Sequence, residues 1–141
     1  MAVKYRDIKK DNGMYGPTGS GKYYQPKPDH NSTAVAKKEK TRWCISEPHQ
    51  FCVFEEADNS HRTADRGMLG LDINDGKLAV LGHGGEKLGF FPVPKNADDP
   101  WHGYPEKIIR LGDIFDQYFI ALRDKGDLKK SECQRLLLKK I

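Results

Sequence analysis

Short connections between β-forming runs restrict the middle of this chain to an antiparallel sheet. Residues 68–73 and 77–81 flank Asp75-Gly76, a dipeptide typical of the type I′ turn of a hairpin. A glycine-rich turn at residues 82–85 then leads into another β-forming run at 87–91. Parallel pairing would require connections of about a dozen residues or more, and these connections are shorter. The pattern therefore predicts an antiparallel meander.

Two further strands are predicted upstream of this meander. Residues 42–46 and 50–55 are rich in β-branched and aromatic side chains and flank a turn at Glu47-Pro48-His49, the pattern of a hairpin. Cys44, His49 and Cys52 resemble part of a zinc site, but structural zinc takes four ligands and the fourth is missing. We therefore expect the two cysteines to pack on adjacent strands, with no metal and no cofactor.

The C-terminal part of the chain has helical periodicity. Apolar residues repeat at helical spacing from Asp113, a predicted cap, to about Lys125, and Gly126 is placed to end the helix. Residues 131–134 read as a capping box that opens a second, shorter helix. The predicted fold is therefore α+β, an antiparallel meander of about five strands covered by two C-terminal helices.

The first forty residues differ from the rest in charge and in apolar content. They contain nine Lys or Arg and four Asp or Glu, and few large aliphatic side chains. Ordering such a backbone costs about 1–2 kcal/mol per residue, which little apolar burial offsets here. The division predicted is an extended, basic, partly disordered arm at 1–40 and a single α+β domain at 41–141. Four tyrosines could still dock the arm on the domain: Tyr5, Tyr15, Tyr23 and Tyr24.

The sequence GPTGSGK at residues 16–22 fits part of the phosphate-binding P-loop pattern. That motif requires a strand before the loop and a helix after it, with a hydroxyl residue following the lysine. Here the preceding residues are polar, Tyr23 stands in the hydroxyl position, and Pro26 and Pro28 prevent a helix. We therefore interpret the match as fortuitous.

The strongest candidate site is the segment 90–109. Four prolines (Pro92, Pro94, Pro100 and Pro105) make it a stiff, non-helical connection. Its centre, residues 98–104, carries two carboxylates, an indole, an imidazole and a phenol. Rigid loops with large side chains are common binding and catalytic sites.

The same residues allow different chemistry. For catalysis, His102 is the candidate acid or base, with Asp98 or Asp99 to orient it and Tyr104 as a hydrogen-bond donor. His83 is a second imidazole, although about 20 Å of strand would separate it from His102.

A non-catalytic loop has the same composition. Trp101 and Tyr104 would then pack or anchor a partner, and Gly103 would supply a positive φ. Lys22 and Lys27 are the arm residues expected to contact phosphates.

Three functions follow from these observations. The first is a cytoplasmic accessory protein that binds a partner protein through the proline-rich loop, as small toxins or immunity proteins of bacterial conflict systems do. The second is a metal-independent nuclease that uses His102, and the third is a nucleic-acid-binding protein that uses the basic arm. The odd number of cysteines and the lack of a long apolar run favour a reduced compartment and no membrane span.

Overall fold

A computed structural model describes residues 10–27 and 41–141 of the chain. These residues form an α+β fold, as predicted, with an antiparallel four-stranded sheet, a separate two-stranded hairpin and most of its helices near the C-terminus. The elements in chain order are α1 (Glu47–Asn59), β1 (Thr63–Ala64), β2 (Gly67–Gly70), β3 (Ile73–Asn74), β4 (Lys77–Leu78), β5 (Leu88–Pro92), β6 (Tyr104–Glu106), α2 (Ile108–Leu111), α3 (Asp116–Asp124) and α4 (Lys130–Leu137).

The predicted hairpin of residues 42–55 is wrong, because most of this segment forms helix α1. The Ser46 side chain caps the helix by accepting the backbone N–H of His49, and Pro48 lies in the first turn, where no N–H is needed. Phe51, Phe54 and Ala57 recur at helical spacing and are buried. The Ser-Glu-Pro sequence was therefore a helix start, not a turn between strands.

The strand order in the main sheet is β1-β2-β5-β6, and every neighbouring pair is antiparallel. The β3–β4 hairpin is inserted between β2 and β5 and forms its own small sheet. Its turn residues Asp75 and Gly76 have φ of 51° and 78°, so both adopt the positive φ that a type I′ turn requires. The predicted hairpin is therefore confirmed at this position.

Both faces of the sheet are buried, whereas the sequence predicted helical cover for one face only. Leu69 pairs with Phe90, and the neighbouring Met68 pairs with Phe91. Because side chains alternate along a strand, these two pairs point to opposite faces. One face packs on the C-terminal helices and the other on α1.

The two faces define two apolar clusters. The C-terminal-side cluster contains Leu69, Leu71, Ile73, Leu78, Leu88, Phe90, Ile108, Leu111, Phe115, Phe119, Leu122, Leu128, Cys133 and Leu136. The α1-side cluster contains Tyr15, Tyr24, Trp43, Phe51, Val53, Phe54, Ala57, Met68, Leu81 and Phe91.

Helix α1 approaches the sheet closely at two paired glycines. Gly70 and Gly89 are opposite each other in the β2–β5 register. A methyl group on Gly70 would meet the backbone carbonyl of Val53, and one on Gly89 would lie 3.0 Å from the Val53 side chain. The glycines therefore allow the helix to pack directly on the sheet backbone.

The two predicted C-terminal helices are present, but their N-termini differ from the prediction. α3 begins at Asp116 and not at Asp113. The carboxylate of Asp113 instead forms an ion pair with the ammonium group of Lys139, at 2.9 Å. Ser131 lies inside α4, and no side chain caps that helix. The side chain of Glu132 accepts the backbone N–H of Leu78 at 2.9 Å, and this hydrogen bond connects α4 to the β3–β4 hairpin.

Residues 10–27 of the predicted arm pack on the domain. Tyr15 and Tyr24 form an antiparallel bridge and are buried in the α1-side cluster. The Tyr24 hydroxyl donates to the side chain of Gln50 in α1 at 2.9 Å. Tyr5 and the remaining residues of the arm, 1–9 and 28–40, lie outside the described residues.

None of the helices in the described residues combines the length and the apolar character that crossing a lipid bilayer demands.

Candidate functional site

The connection between β5 and β6 is held against the N-terminal segment by backbone hydrogen bonds. Trp101 donates its N–H to the carbonyl of Tyr23, and its own carbonyl accepts the N–H of Gln25, both at 2.8 Å. These bonds form a parallel bridge that pairs Trp101 with Tyr24. The loop is therefore fixed by residues about eighty positions away in sequence.

The parallel bridge determines which side chains face solvent. Paired residues in a bridge point to the same side, so the Trp101 indole follows the buried Tyr24 ring toward the α1-side cluster. The ring centroids of Trp101 and Phe54 are 5.9 Å apart. Tyr23 lies one position along, points outward and is 43% exposed. By the same alternation, the side chain of His102 lies on the outer side.

The side chains of His102 and Asp99 form hydrogen bonds with different residues. The imidazole Nδ1 of His102 lies 2.8 Å from the backbone carbonyl oxygen of Gln25. Since a carbonyl oxygen only accepts, Nδ1 is the donor in this contact. Asp99 accepts from the side-chain amide of Asn96 at 3.1 Å, which closes the exposed tip of the loop. Asp98 lies on the same tip and is exposed.

Tyr104 lies on the other face of the sheet from Trp101. It pairs with Phe90 in the β5–β6 register, and the two ring centroids are 5.8 Å apart within the C-terminal-side cluster. Burial, reinforced by the Glu106 carboxylate, raises the pKa of the Tyr104 phenol. A single contact surface therefore includes Trp101 or Tyr104, but not both.

Gly103 is required for a reason that the sequence did not indicate. Its φ is not positive, so the predicted conformational role is wrong. Instead, a methyl group at this position would collide with the ring of Phe91, and the Gly103 carbonyl accepts the indole N–H of Trp43 at 3.3 Å. The glycine allows the loop to pass directly over the α1-side cluster.

The P-loop-like segment is attached to the end of α1 by an ion pair. Lys22 Nζ lies 2.8 Å from Asp58 Oδ1, and the Ser20 hydroxyl donates to Asp58 Oδ2 at 2.6 Å. Burial opposes ionisation of Asp58, but hydrogen bonds from Lys22, Ser20 and Thr18 prevail and lower the pKa of its carboxyl. The lysine that would bind phosphate in a P-loop is therefore paired with a carboxylate of the same chain.

The other predicted site residues lie apart from this loop. His83 is exposed in the glycine-rich turn, where its N–H donates to the carbonyl of Arg42 at 2.9 Å. Lys27 is exposed at the end of the described N-terminal segment. The imidazole of His83 and the loop at 98–102 lie at opposite ends of the β5–β6 pair, because β5 starts after the first and ends before the second.

The sequence predicted that Cys44 and Cys52 pack on adjacent strands, and this prediction is wrong. Cys44 precedes α1 and is exposed, with its Sγ 3.8 Å from the carbonyl of Val80, whereas Cys52 is buried within α1. Within residues 10–27 and 41–141, no group of three or more His, Cys, Asp or Glu side chains is arranged to hold a metal ion.

A second candidate site was not indicated by the sequence. Five basic side chains line a cleft of about 300 Å³ near the start of β5 and the end of the chain: Lys87, Lys107, Arg135, Lys139 and Lys140. They are scattered over more than fifty positions in sequence, so no local motif marks them. Only the strand register and the packing of α4 bring them together.

No protein-family model, curated protein sequence or solved structure matches this chain. The contacts and charges of the described residues are therefore the basis for a functional proposal.

Proposed function

We propose that this chain is a non-catalytic interaction protein that binds a partner protein through the loop face. The loop face consists of Tyr23, Asp98, Asp99, Pro100 and His102. The parallel bridge between Trp101 and residues 23–25 is the observation that supports this proposal. It holds an exposed tyrosine and an acidic tip on a backbone that is already ordered, so little entropy is lost on binding.

The placement of the titratable groups favours binding over catalysis. The Nδ1 of His102 is engaged by the Gln25 carbonyl, and Asp99 is engaged by Asn96. Tyr104 packs on the opposite face of the sheet. A general acid or base needs an orienting partner and a reactive group within hydrogen-bond reach, and these residues are directed to different neighbours.

The loop face also indicates the chemistry of its partner. Asp98 and Asp99 place two carboxylates within three residues of Trp101, and Tyr23 offers an aromatic surface beside the bridge. Tyrosine is one of the residue types that contribute most binding energy at interfaces. The complementary partner surface carries Lys or Arg next to an apolar or aromatic side chain.

Affinity capture with the full chain tests the proposal. Tyr23→Ser removes the exposed ring, and Val80→Ser is the matched control, since Val80 is 47% exposed on a different part of the surface. We expect a partner that is retained by the wild type and by Val80→Ser and lost with Tyr23→Ser. With the purified partner, calorimetry should give a loss of affinity of about 30-fold or more, which is typical of a tyrosine hot spot.

Two results would overturn the proposal. One is a set of captured proteins that is the same for Tyr23→Ser as for the wild type. The other is cleavage of RNA or DNA in the presence of EDTA that His102→Ala abolishes, because this would assign His102 to catalysis.

A further inference from the structure

The basic cleft forms where three parts of the fold meet. These are the glycine-rich turn before β5, the start of α2 and the segment that follows α4. The last segment folds back on the domain, because the N–H of Ile108 donates to the carbonyl of Ile141 at 3.2 Å and the N–H of Lys140 to that of Arg135 at 2.8 Å. The cleft is therefore built from backbone contacts and not from chance proximity of long side chains.

Two lysines of this cleft lie at one end of the β5–β6 ladder. Leu88 pairs with Glu106 at the end of the β5–β6 ladder. Lys87 directly precedes β5 and Lys107 directly follows β6 at this end of the ladder, and both line the cleft. Like charges that line the same cleft repel each other, and a bound anion would offset this repulsion.

Two of the five cations in the cleft have acidic partners. Lys139 pairs with Asp113 at 2.9 Å and with Asp116 at 2.8 Å. Arg135 is 3.8 Å from Glu132, whose carboxylate also accepts a backbone N–H.

The other three cations that line the cleft are Lys87, Lys107 and Lys140. Among the residues that the structure describes, the ammonium groups of Lys87, Lys107 and Lys140 have no carboxylate within ion-pair distance, 4.0 Å. The nearby Glu106 carboxylate accepts the backbone N–H of Lys107. Within the described part of the chain, these three positive charges are therefore not neutralised by a carboxylate.

We propose that the basic cleft binds the phosphate groups of a nucleic-acid chain. Phosphate oxygens accept hydrogen bonds from several ammonium groups at once, which matches lysines that converge without carboxylate partners. Ile109 lines the same cleft and is 68% exposed, so apolar surface lies beside the charges, where a base could rest.

This site is separate from the loop face. Lys87 precedes β5 and Lys107 follows β6, whereas the loop face lies in the connection between the two strands, at their other end. A five-residue strand such as β5 spans about 17 Å. The cleft and the loop face can therefore be tested independently of each other.

Fluorescence anisotropy with a labelled single-stranded RNA of twelve nucleotides, and with the matching DNA, tests the proposal. The variant is Lys87→Gln/Lys107→Gln. The matched control is Lys77→Gln/Lys125→Gln, which removes the same charge from exposed positions outside the cleft. We expect the cleft variant to weaken binding at least about tenfold and to reduce the slope of log Kd against log salt by about 2, while the control stays close to wild type.

Competition with adenosine monophosphate and with inorganic phosphate separates a nucleic-acid chain from a small phosphate compound. Displacement of the RNA only at millimolar concentrations of either compound supports the chain as ligand. Tight binding of adenosine monophosphate without binding of RNA or DNA would overturn the nucleic-acid assignment.

Further outcomes decide whether the cleft is the site. Absence of salt-dependent binding by the wild type, or an equal loss in the control variant, would overturn the proposal. Should the double variant unfold, Lys140→Gln gives the same test from a position after the last helix. Tyr23→Ser should bind RNA as the wild type does, so failure of the loop-face proposal is distinguishable from failure of this one.

Discussion

Replacing Trp101 with alanine tests whether the indole anchors the loop to the fold. The side chain is partly buried against the α1-side cluster, next to Phe54. An indole in this position removes roughly 100 Å² of apolar surface from water, which is worth about 2.5 kcal/mol at about 25 cal/mol per Å². The aromatic contact contributes about 0.5 kcal/mol more. We therefore expect the free energy of unfolding to fall by about 3 kcal/mol.

Urea denaturation followed by tryptophan fluorescence measures this loss. The chain has two tryptophans, and the remaining one, Trp43, is buried and stacked 6.1 Å from Phe91, so it reports directly on the α1-side cluster. For a chain of this size, about 3 kcal/mol also corresponds to a decrease in Tm of roughly 10 °C. Tyr23→Ala is the control, since its ring points outward and is 43% exposed, and it should lower the free energy of unfolding by clearly less than Trp101→Ala does.

An unchanged unfolding midpoint for Trp101→Ala would refute the reasoning. It would mean that the indole faces solvent and that the bridge to Tyr24 does not orient it inward. A loss of stability in Tyr23→Ala as large as that in Trp101→Ala would refute the assignment of Tyr23 to the outer side.

Three further predictions follow from single contacts. Gly103→Ala should destabilise the fold by about 1–3 kcal/mol in a thermal melt, because the added methyl group collides with the Phe91 ring. Stability should fall as the pH is lowered below about 4, because the pKa of the Asp58 carboxyl is lower in the folded state than in the unfolded state. The stabilisation from this carboxylate is fully present above the unfolded-state pKa and is lost as the pH falls through the folded-state pKa. Lys107→Gln should raise Tm at low salt, because it removes repulsion between Lys107 and the other cations that line the cleft, such as Lys87.

Each of these has a control or a contradicting result. Gly19→Ala adds a methyl group at a position without positive φ, with its nearest neighbour at 3.6 Å, and should be close to neutral. An Asp58→Asn variant that loses as much stability in acid as the wild type would show that other carboxyls cause the effect. A Tm that falls in Lys107→Gln would show that the like-charge pair carries no cost.

The α+β class and the β3–β4 hairpin were predictable because they depend on local signals, whereas the pairing of β2 with β5 across that hairpin is not local. The positive φ at Asp75 and Gly76 requires residues that tolerate it, and short turns exclude parallel pairing. α3 was predictable from its apolar spacing, although its first residue was misplaced. α1 was missed because Phe51, Cys52 and Val53 also favour strands, and the tertiary contacts of Phe51 and Phe54 select the helix.

The loop was recognised as a candidate site, but the orientation of its side chains was not. A shift of one position along an extended chain moves a side chain from one face to the other, and only the bridge to residues 23–25 sets that position here. Trp101 therefore lies on the inner side, whereas His102 and Tyr23 lie on the outer side. No local pattern in the sequence distinguishes these two arrangements.

The sequence by itself determined the Asp75-Gly76 turn of the β3–β4 hairpin and the amphipathic helices at the C-terminus, because each depends on neighbouring residues. Only the tertiary structure decided that α1 covers the second face of the sheet, that Tyr15 and Tyr24 belong to the core, and that Lys87 and Lys107 line one cleft. These features join positions far apart in the chain. Their pairing depends on how complete surfaces pack together, and a short window of sequence does not contain that information.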